Sequence, residues 1–225
     1  MKTIFNFKTP KTLSFILLMA MVTVCLVSCS KNNGQVAVSA YVMATNAAQA
    51  SAPQDFYADN TKLNGSAIAY TQSTSYISIG SGSHQGQFKT STTTNVNTAF
   101  SLSFAPGGYY TVFYTDDNTA TTYQDDRTAP QSGNARVRFI NVSSALTSNV
   151  DFANSTGSKI VSGLAYKAAS AYNDVSSSST FTLSASGSAT VLLNIASSLQ
   201  AGHIYTIFIS GATSATITYT VVAES

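Results

Sequence analysis

Histidine and serine are the first candidates for chemistry in this chain, and they form no recognisable catalytic pattern. His84 lies in segment 80–86, which is rich in glycine and serine and is predicted to be a flexible loop. A Ser/His site there needs an orienting third group and an oxyanion hole, and the local sequence is not G-x-S-x-G. His203 precedes an apolar run and is expected at the rim of a strand. The sequence therefore predicts no catalytic residue.

Two pairs of aspartates are the candidates for cation binding. Calcium takes six to eight oxygen ligands, and no EF-hand spacing surrounds these pairs. Neither histidine sits in a zinc-binding spacing, and no glycine-rich phosphate cradle is present. The sequence predicts no cofactor, and its weak calcium candidates are Asp116, Asp117, Asp125 and Asp126.

Cys29 has the clearest predicted chemistry. It ends the sequence Leu-Val-Ser-Cys at 26–29, which resembles a bacterial lipobox. A lipobox is cleaved before its cysteine, which is then lipidated. Lysines 2, 8 and 11 precede an apolar segment at 13–27, which is shorter than the roughly 20 residues of a membrane span. These features are typical of a signal peptide at 1–28.

Lipidation at Cys29 would place the chain at a membrane surface through a polar tether at 29–35. Ser30 follows the cysteine, where some bacteria use aspartate as an inner-membrane retention signal. The expected location is therefore the cell envelope, lipid-anchored in the outer membrane, with the periplasmic and the surface-facing leaflet both open.

Charge and cysteine content exclude two classes of protein. Loss of the three leader lysines from 11 basic residues, against 9 acidic ones, turns the net charge from +2 to about −1. No basic field for nucleic acid remains. Cys25 lies in the leader, so no disulfide is expected in the mature chain.

An internal repeat organises the remaining residues. The landmarks Asp-Phe, Ala-Tyr and Tyr recur 96 residues apart, beginning at Asp55 and Asp151. The motif Tyr-Thr-hydrophobic-Phe recurs 95 residues apart, at 110–113 and 205–208. Two copies of one unit of about 95 residues are expected.

The strand patterns favour an all-β fold. Residues 136–139 alternate charged and apolar side chains, which indicates a half-buried strand. Residues 204–209 are nearly all apolar, which indicates a central strand covered on both sides. The unit length is typical of an immunoglobulin-like β-sandwich. The predicted organisation is two tandem sandwiches at 36–124 and 135–225, with a linker at 125–134.

Aromatic residues support two interpretations. Exposed tyrosines could stack on sugar rings, whereas tyrosines repeated in both units are more simply structural. Tyr70, Tyr76, Tyr166 and Tyr172 fall in the second group. Phe208 is expected in the core of the second sandwich, with Phe113 at the matching place in the first.

Several segments resemble the DUF4397 family. They are 125–130 (Asp-Asp-Arg-Thr-Ala-Pro), 135–143 (Ala-Arg-Val-Arg-Phe-Ile-Asn-Val-Ser), 150–152 (Val-Asp-Phe) and 202–206 (Gly-His-Ile-Tyr-Thr). The resemblance is stronger over 135–210 than over 36–115, and Ser-Ser-Ala-Leu replaces the usual Ser-Pro-Asp-Ala-Pro. It implies a lipid-anchored protein of the Bacteroidetes type with tandem units, and it implies no activity.

The sequence predicts a protein that is not an enzyme, and the first of three classes of function is the expected one. The first is a non-enzymatic binding or adhesion module at the envelope, with a glycan or protein partner, including a carbohydrate-binding lipoprotein of a polysaccharide-uptake system. The second is a pilus or matrix subunit that donates an edge strand. The third is a hydrolase, which would show a deep pocket that gathers Asp or His side chains.

The Cys29→Ser substitution tests the predicted anchor. Because a serine cannot form the thioether, the variant should accumulate as precursor or be released without lipid. Metabolic labelling with a radioactive fatty acid measures this, and label in the variant at the wild-type level would contradict the assignment.

Overall fold

We describe residues 38–93 and 95–224 of a computed structural model of the chain. The predicted signal peptide, Cys29 and the tether lie outside the described residues. The all-β prediction is confirmed, because the described elements are 17 strands and one 3-10 turn at Ser214–Thr216. None of the described residues forms a helix long and apolar enough to cross a membrane.

Eight strands come from the first half of the chain. They are β1 (Ser39–Asn46), β2 (Gln54–Ala58), β3 (Thr61–Lys62), β4 (Ile77–Gly80), β5 (Gly82–Thr90), β6 (Val96–Phe104), β7 (Tyr109–Tyr114) and β8 (Ala120–Asp125). Strands β4, β1, β7 and β8 form one sheet in that order, which we call inner sheet 1. Strands β3, β2, β5 and β6 form a second, outer sheet 1.

Nine strands follow in the second half. They are β9 (Asn134–Asn141), β10 (Val150–Asn154), β11 (Lys159–Leu164), β12 (Ala168–Ala169), β13 (Asn173–Ser176), β14 (Phe181–Ala185), β15 (Val191–Ile195), β16 (Ile204–Ser210) and β17 (Thr218–Ala223). Inner sheet 2 has the order β12-β9-β16-β17, with β13 also paired to β9. Outer sheet 2 has the order β11-β10-β14-β15.

The two halves share one topology. In each inner sheet the first strand pairs in parallel with the late apolar strand, so that Val42 lies opposite Tyr110 and Val137 lies opposite Tyr205. This parallel pair is a departure from the antiparallel sheets of constant-type immunoglobulin sandwiches. Gly107 (φ +72°) takes a left-handed conformation in the turn that precedes the late strand, which a glycine adopts without steric cost.

A separate apolar core lies between the sheets of each half. Phe56 and Phe88 from outer sheet 1 pack with Val112 from inner sheet 1. Phe152 of outer sheet 2 packs on Phe139 of inner sheet 2, with ring centroids 4.4 Å apart. Each half is therefore a sandwich of two sheets, and its strands alternate side chains between this core and the opposite face.

The two inner sheets also pack on each other. Phe113 of β7 meets Phe208 of β16 edge-on, with centroids 5.1 Å apart, and both are fully buried. Ala47, Ile140 and Val142 complete this third apolar cluster. The prediction that Phe208 is buried is confirmed, but its assignment to the second core is wrong. Ile207 and Ile209 face that core instead, because neighbouring strand residues point to opposite faces.

We expect the contact between Phe113 and Phe208 to couple the two sandwiches energetically. Truncation of either ring to alanine should lower the free energy of unfolding by about 3–5 kcal/mol. The double variant should depart from additivity by about 0.5–3 kcal/mol, since each truncation removes the partner of the other ring. Denaturant unfolding of the wild type, both single variants and the double variant measures this cycle.

Phe181→Ala provides the control, because Phe181 packs on Phe139 in the core of the second sandwich. Its effect should add to that of Phe113→Ala within about 0.5 kcal/mol. Strict additivity of Phe113→Ala and Phe208→Ala would show that the inner sheets are not coupled at this contact.

Candidate functional site

A cleft of about 760 Å³ opens where the two sandwiches meet. One wall is the β8 edge of inner sheet 1 with the 107–108 turn, and the other is the chain around β12 and β13 of inner sheet 2. Its principal side chains are Tyr109, Tyr123, Arg127, Arg138 and Tyr172. The volume falls within the range of about 300–1,000 Å³ that is usual for ligand pockets. Both halves of the chain thus contribute to one cavity.

Tyr109 lines the first wall of the cleft and packs against two further tyrosines. Tyr41 and Tyr109 lie nearly parallel with ring centroids 4.6 Å apart. Tyr76 meets Tyr109 edge-on at 5.0 Å. The guanidinium of Arg127 lies over both rings, 5.0 Å from the centroid of Tyr109 and 5.4 Å from that of Tyr76. These contacts hold a flat aromatic surface and an exposed cation side by side.

The floor of the cleft is a buried ionic cluster centred on Arg138. Its guanidinium pairs with Asp125 of the first sandwich, and it lies 3.4 Å from a carboxylate oxygen of Glu224 in the second. It also donates to Thr206 Oγ1 at 2.8 Å and to the Gln124 carbonyl at 3.0 Å. The alternating pattern at 136–139 predicted a half-buried strand, yet Arg138 is 1% exposed. The opposite inner sheet covers the charged face of β9, which corrects that prediction.

The two carboxylates are held by equivalent hydroxyls from the two repeats. Tyr76 Oη and Thr111 Oγ1 donate to Asp125 at 2.8 and 2.7 Å. Tyr172 Oη donates to Glu224 at 2.9 Å, and Thr206 Oγ1 donates to it as well. Burial and the nearby carboxylates raise the pKa of the Tyr76 and Tyr172 hydroxyls well above the usual value. Both hydroxyls therefore remain donors at neutral pH.

The two repeats differ at the residue that provides the cation of this cluster. By strand register, the β1 position equivalent to Arg138 is Met43, which is apolar and buried. One guanidinium therefore serves two carboxylates. Burial raises the pKa of Glu224 above its usual 4.5, Arg138 opposes this shift, and Asp125 adds to it.

A second ionic group lies at the rim. Arg136 bridges Asp126 at 2.6 Å and Asp174 at 3.2 Å, and Asp174 also accepts from the Gln131 amide at 2.8 Å. Hydrogen bonds from Thr128, then from Arg136, lower the pKa of Asp126 to about 2. Segment 125–134, predicted as a linker, is therefore held by ion pairs at its start and by the hydrogen bond of the Gln131 amide toward its end.

The structure does not gather the calcium candidates into one site. Asp116 accepts from the Gln49 amide at 2.6 Å, and Asp117 pairs with Lys167 of the second sandwich. Burial opposes the shift, but Lys167 and two threonine hydroxyls lower the pKa of Asp117 to about 2. Within residues 38–93 and 95–224, no three His, Cys, Asp or Glu side chains are placed to share a metal ion.

His84 lies on a strand, so the prediction of a flexible loop at 80–86 is wrong. Pairing of β5 with β6 places His84 opposite Leu102, and this ladder outweighs the glycine-rich composition. Its ring nitrogens contact Asp59 Oδ2 at 2.7 Å and the Gly80 carbonyl at 2.8 Å. Both nitrogens are thus engaged, and neither is hydrogen-bonded to a serine.

The repeated tyrosines have structural contacts, as the sequence predicted. Tyr76 and Tyr172 bind the buried acids, and Tyr70 Oη lies 2.9 Å from Ser210 Oγ of the other sandwich. The Lys167 ammonium lies over the Tyr166 ring, 5.2 Å from its centroid. Tyr70 thus contacts the other sandwich directly, and Tyr76 and Tyr172 bind the two acids that share Arg138. His203 lies exposed just before β16, at the predicted rim.

Sequence reasoning missed Tyr109, Arg127, Arg138 and Glu224 as members of one site. One signal was available, because all three arginines of the chain fall within 127–138, beside the predicted linker. Glu224 carried no such signal, since it lies far from them in sequence and joins them only through the packing of the inner sheets.

A comparison with known families assigns the chain. The sequence model of the domain of unknown function DUF4397 matches residues 40–153. The chain belongs to the DUF4397 family. The match covers the first sandwich and the first two strands of the second, whereas the motif resemblance was stronger over 135–210.

Solved structures similar to this DUF4397 protein include two carbohydrate-binding modules. A family CBM26 module from Eubacterium rectale Amy13K, solved with maltoheptaose, has 12% identity and a TM-score of 0.28, with 82% of this chain and 96% of that chain covered. A family 41 module from streptococcal virulence factors, described for α-glucan recognition, has 11% identity and a TM-score of 0.28, with 76% and 93% covered. No curated protein sequence matches the chain.

The Arg138→Met substitution tests the ionic floor of this DUF4397 protein, since methionine is the residue at the equivalent position of the first repeat. Loss of the cation leaves two buried carboxylates unpaired and should lower the free energy of unfolding by about 3–5 kcal/mol at pH 7. The pKa of Glu224 is higher in the folded protein than its usual 4.5. Protonation of this carboxyl therefore stabilises the folded state below pH 4.5, and this contribution is lost as the pH rises through the folded-state pKa. The deficit should therefore be smaller at pH 4 than at pH 7.

Arg136→Met is the matched control, because Arg136 and Asp126 are both partly exposed. Exposed ion pairs contribute about 0–1 kcal/mol, so this variant should unfold nearly like the wild type. Denaturant unfolding at the two pH values measures both variants, and equal losses at Arg136 and Arg138 would rule out a buried ionic floor.

Proposed function

We propose that this DUF4397 protein is a non-enzymatic binding module of the cell envelope that takes a glycan in the cleft between its sandwiches. Lipidation at Cys29 would hold it at the outer membrane. The observation that carries the proposal is the junction cleft itself, in which Tyr109, Tyr123 and Tyr172 lie beside charged groups from both halves. Aromatic faces stack on the apolar faces of sugars, and the polar groups bind hydroxyls.

The arrangement of the polar side chains supports binding rather than catalysis. In the cleft, Asp125 accepts three side-chain hydrogen bonds, and Asp126 is paired with Arg136. A general acid or base must reach a substrate proton, which a fully hydrogen-bonded, buried carboxylate does not. Outside the cleft, His84 has both ring nitrogens engaged. The proposal rests on these contacts and not on the similar solved structures.

Rigid packing of the inner sheets supports a site shared by both sandwiches. Phe113 and Phe208 bury each other, and Lys167 of one half pairs with Asp117 of the other. A ligand that contacts both walls therefore meets a preformed surface, which reduces the ordering cost of binding.

The second candidate is a structural subunit that pairs with other copies through an edge strand. Strands β6 and β15 are edge strands of the outer sheets. They carry exposed apolar residues, since Val96 and Val191 are each 48% exposed and Leu192 is 45% exposed. Exposed apolar edges are the surfaces through which chains add strands to one another. Native mass measurement distinguishes the candidates, because a ladder of oligomers supports a subunit and a stable monomer supports the binding module.

The Tyr109→Ala substitution tests the cleft as a glycan site. Loss of the stacking surface should weaken binding about tenfold or more, since an aromatic contact contributes about 0.5–1.5 kcal/mol beyond the area that it buries. Affinity electrophoresis of the purified chain against a panel of neutral and acidic polysaccharides measures the effect.

Tyr57→Ala is the control for this experiment, because Tyr57 lies on outer sheet 1, where Lys89 covers its ring at 4.1 Å. This variant should migrate like the wild type. If no polysaccharide retards the wild type, or if both variants lose binding equally, the cleft is not a glycan site.

A further inference from the structure

The three arginines of the chain surround the cleft, and they differ in their partners. Arg138 pairs with Asp125 and Glu224, and Arg136 pairs with Asp126 and Asp174. Arg127 has no carboxylate within 4 Å among residues 38–93 and 95–224. Arg136 and Arg138 thus each face two carboxylates, whereas Arg127 faces none among the described residues.

The guanidinium of Arg127 is fixed in place although the residue is exposed. Its central carbon lies 5.0 Å from the ring centroid of Tyr109 and 5.4 Å from that of Tyr76, and its Nη1 donates to the carbonyl of Glu224. A guanidinium has five N–H donors, so several remain for a ligand. Stacking on two rings orients these donors in a plane without further loss of side-chain freedom.

We infer that the glycan taken by the cleft bears carboxylate groups, as a uronic acid polymer does, and that Arg127 is the group that recognises them. This inference rests on the proposed function of the cleft. A carboxylate accepts two parallel hydrogen bonds from the edge of a guanidinium, which is the strongest polar contact that an exposed arginine makes. Tyr109 lies beside Arg127 in the same wall of the cleft, where a sugar bound to Arg127 would contact it.

Among the charged residues of the cleft, Arg127 is the one placed to bind a carboxylate of the ligand. Asp125 and Glu224 lie in the floor and are less than 6% exposed. Asp126 is at the rim, and Arg136 and Thr128 bind its carboxylate. An incoming carboxylate therefore meets these acids in their paired state, whereas the exposed Arg127 has no carboxylate partner among residues 38–93 and 95–224. A neutral glycan would leave those donors to water.

The test measures binding of the purified full chain to one backbone in two charge states. The probes are oligogalacturonate and its fully methyl-esterified form, which differ in charge but share the sugar ring. Isothermal titration at low and at moderate salt should show tighter binding of the acidic form, and its advantage should shrink with salt. Oligoglutamate provides the same carboxylates without sugar rings.

Arg127→Gln removes the cation and keeps a polar side chain, and Arg127→Lys keeps the charge but loses the planar fork. Both should weaken binding of oligogalacturonate about ten- to a hundredfold, with the lysine variant the less affected. Binding of the esterified form should change less than threefold. Lys89→Gln is the matched control, because Lys89 is also a cation stacked on a tyrosine, but on outer sheet 1. It should bind both probes like the wild type.

Each result has a distinct meaning. Equal binding of the acidic and esterified forms, with Tyr109 still required, overturns the carboxylate inference and leaves the proposed function intact. Binding of oligoglutamate as tight as that of oligogalacturonate overturns the assignment to a glycan. The absence of Tyr109-dependent binding to any polysaccharide overturns both proposals. Selective loss of the acidic probe in the Arg127 variants, with unchanged thermal unfolding, supports the inference.

Discussion

The packing of the two inner sheets on each other is the constraint on which the rest of the molecule depends. Each inner sheet has a core on one face, so its opposite face must be exposed or covered by another layer. Here each inner sheet covers the other, with Phe113 against Phe208 in the apolar part and Arg138 between Asp125 and Glu224 in the polar part. Strands β7 and β16 are consequently buried on both faces, which explains their nearly continuous burial.

This arrangement also explains why the cleft has charges in its floor. An ion pair taken out of water must recover its solvation energy through hydrogen bonds, and the hydroxyls of Thr111 and Thr206 provide them. The same groups hold the ends of β8 and β17 in place. Arg127 follows β8 directly, so the position of the exposed cation depends on the buried cluster beneath it.

Some equivalent positions of the two repeats carry the same residue and others carry different residues, and the two cases have different effects on the interface. Tyr76 and Tyr172 occupy equivalent places and hold one buried acid each, so the repeat produces a two-sided interface. Arg138 and Met43 occupy equivalent places and are chemically different. A symmetrical pair of arginines would place two like charges in one buried site, whereas a single arginine satisfies acids from both halves.

The all-β character, several strands and the repeat could be predicted from the sequence, because alternation along a strand is a local property of the chain. The nearly apolar run at 204–209 predicted a central strand, and β16 is one. Alternation separates two faces but does not state what covers each face. Phe208, Arg138 and the acids near 125 were therefore assigned to a core, a half-buried strand and a linker, while all of them meet at the junction. Only tertiary structure brings Glu224 to Arg138 and Tyr109 to Arg127, because these contacts join segments that no local pattern relates.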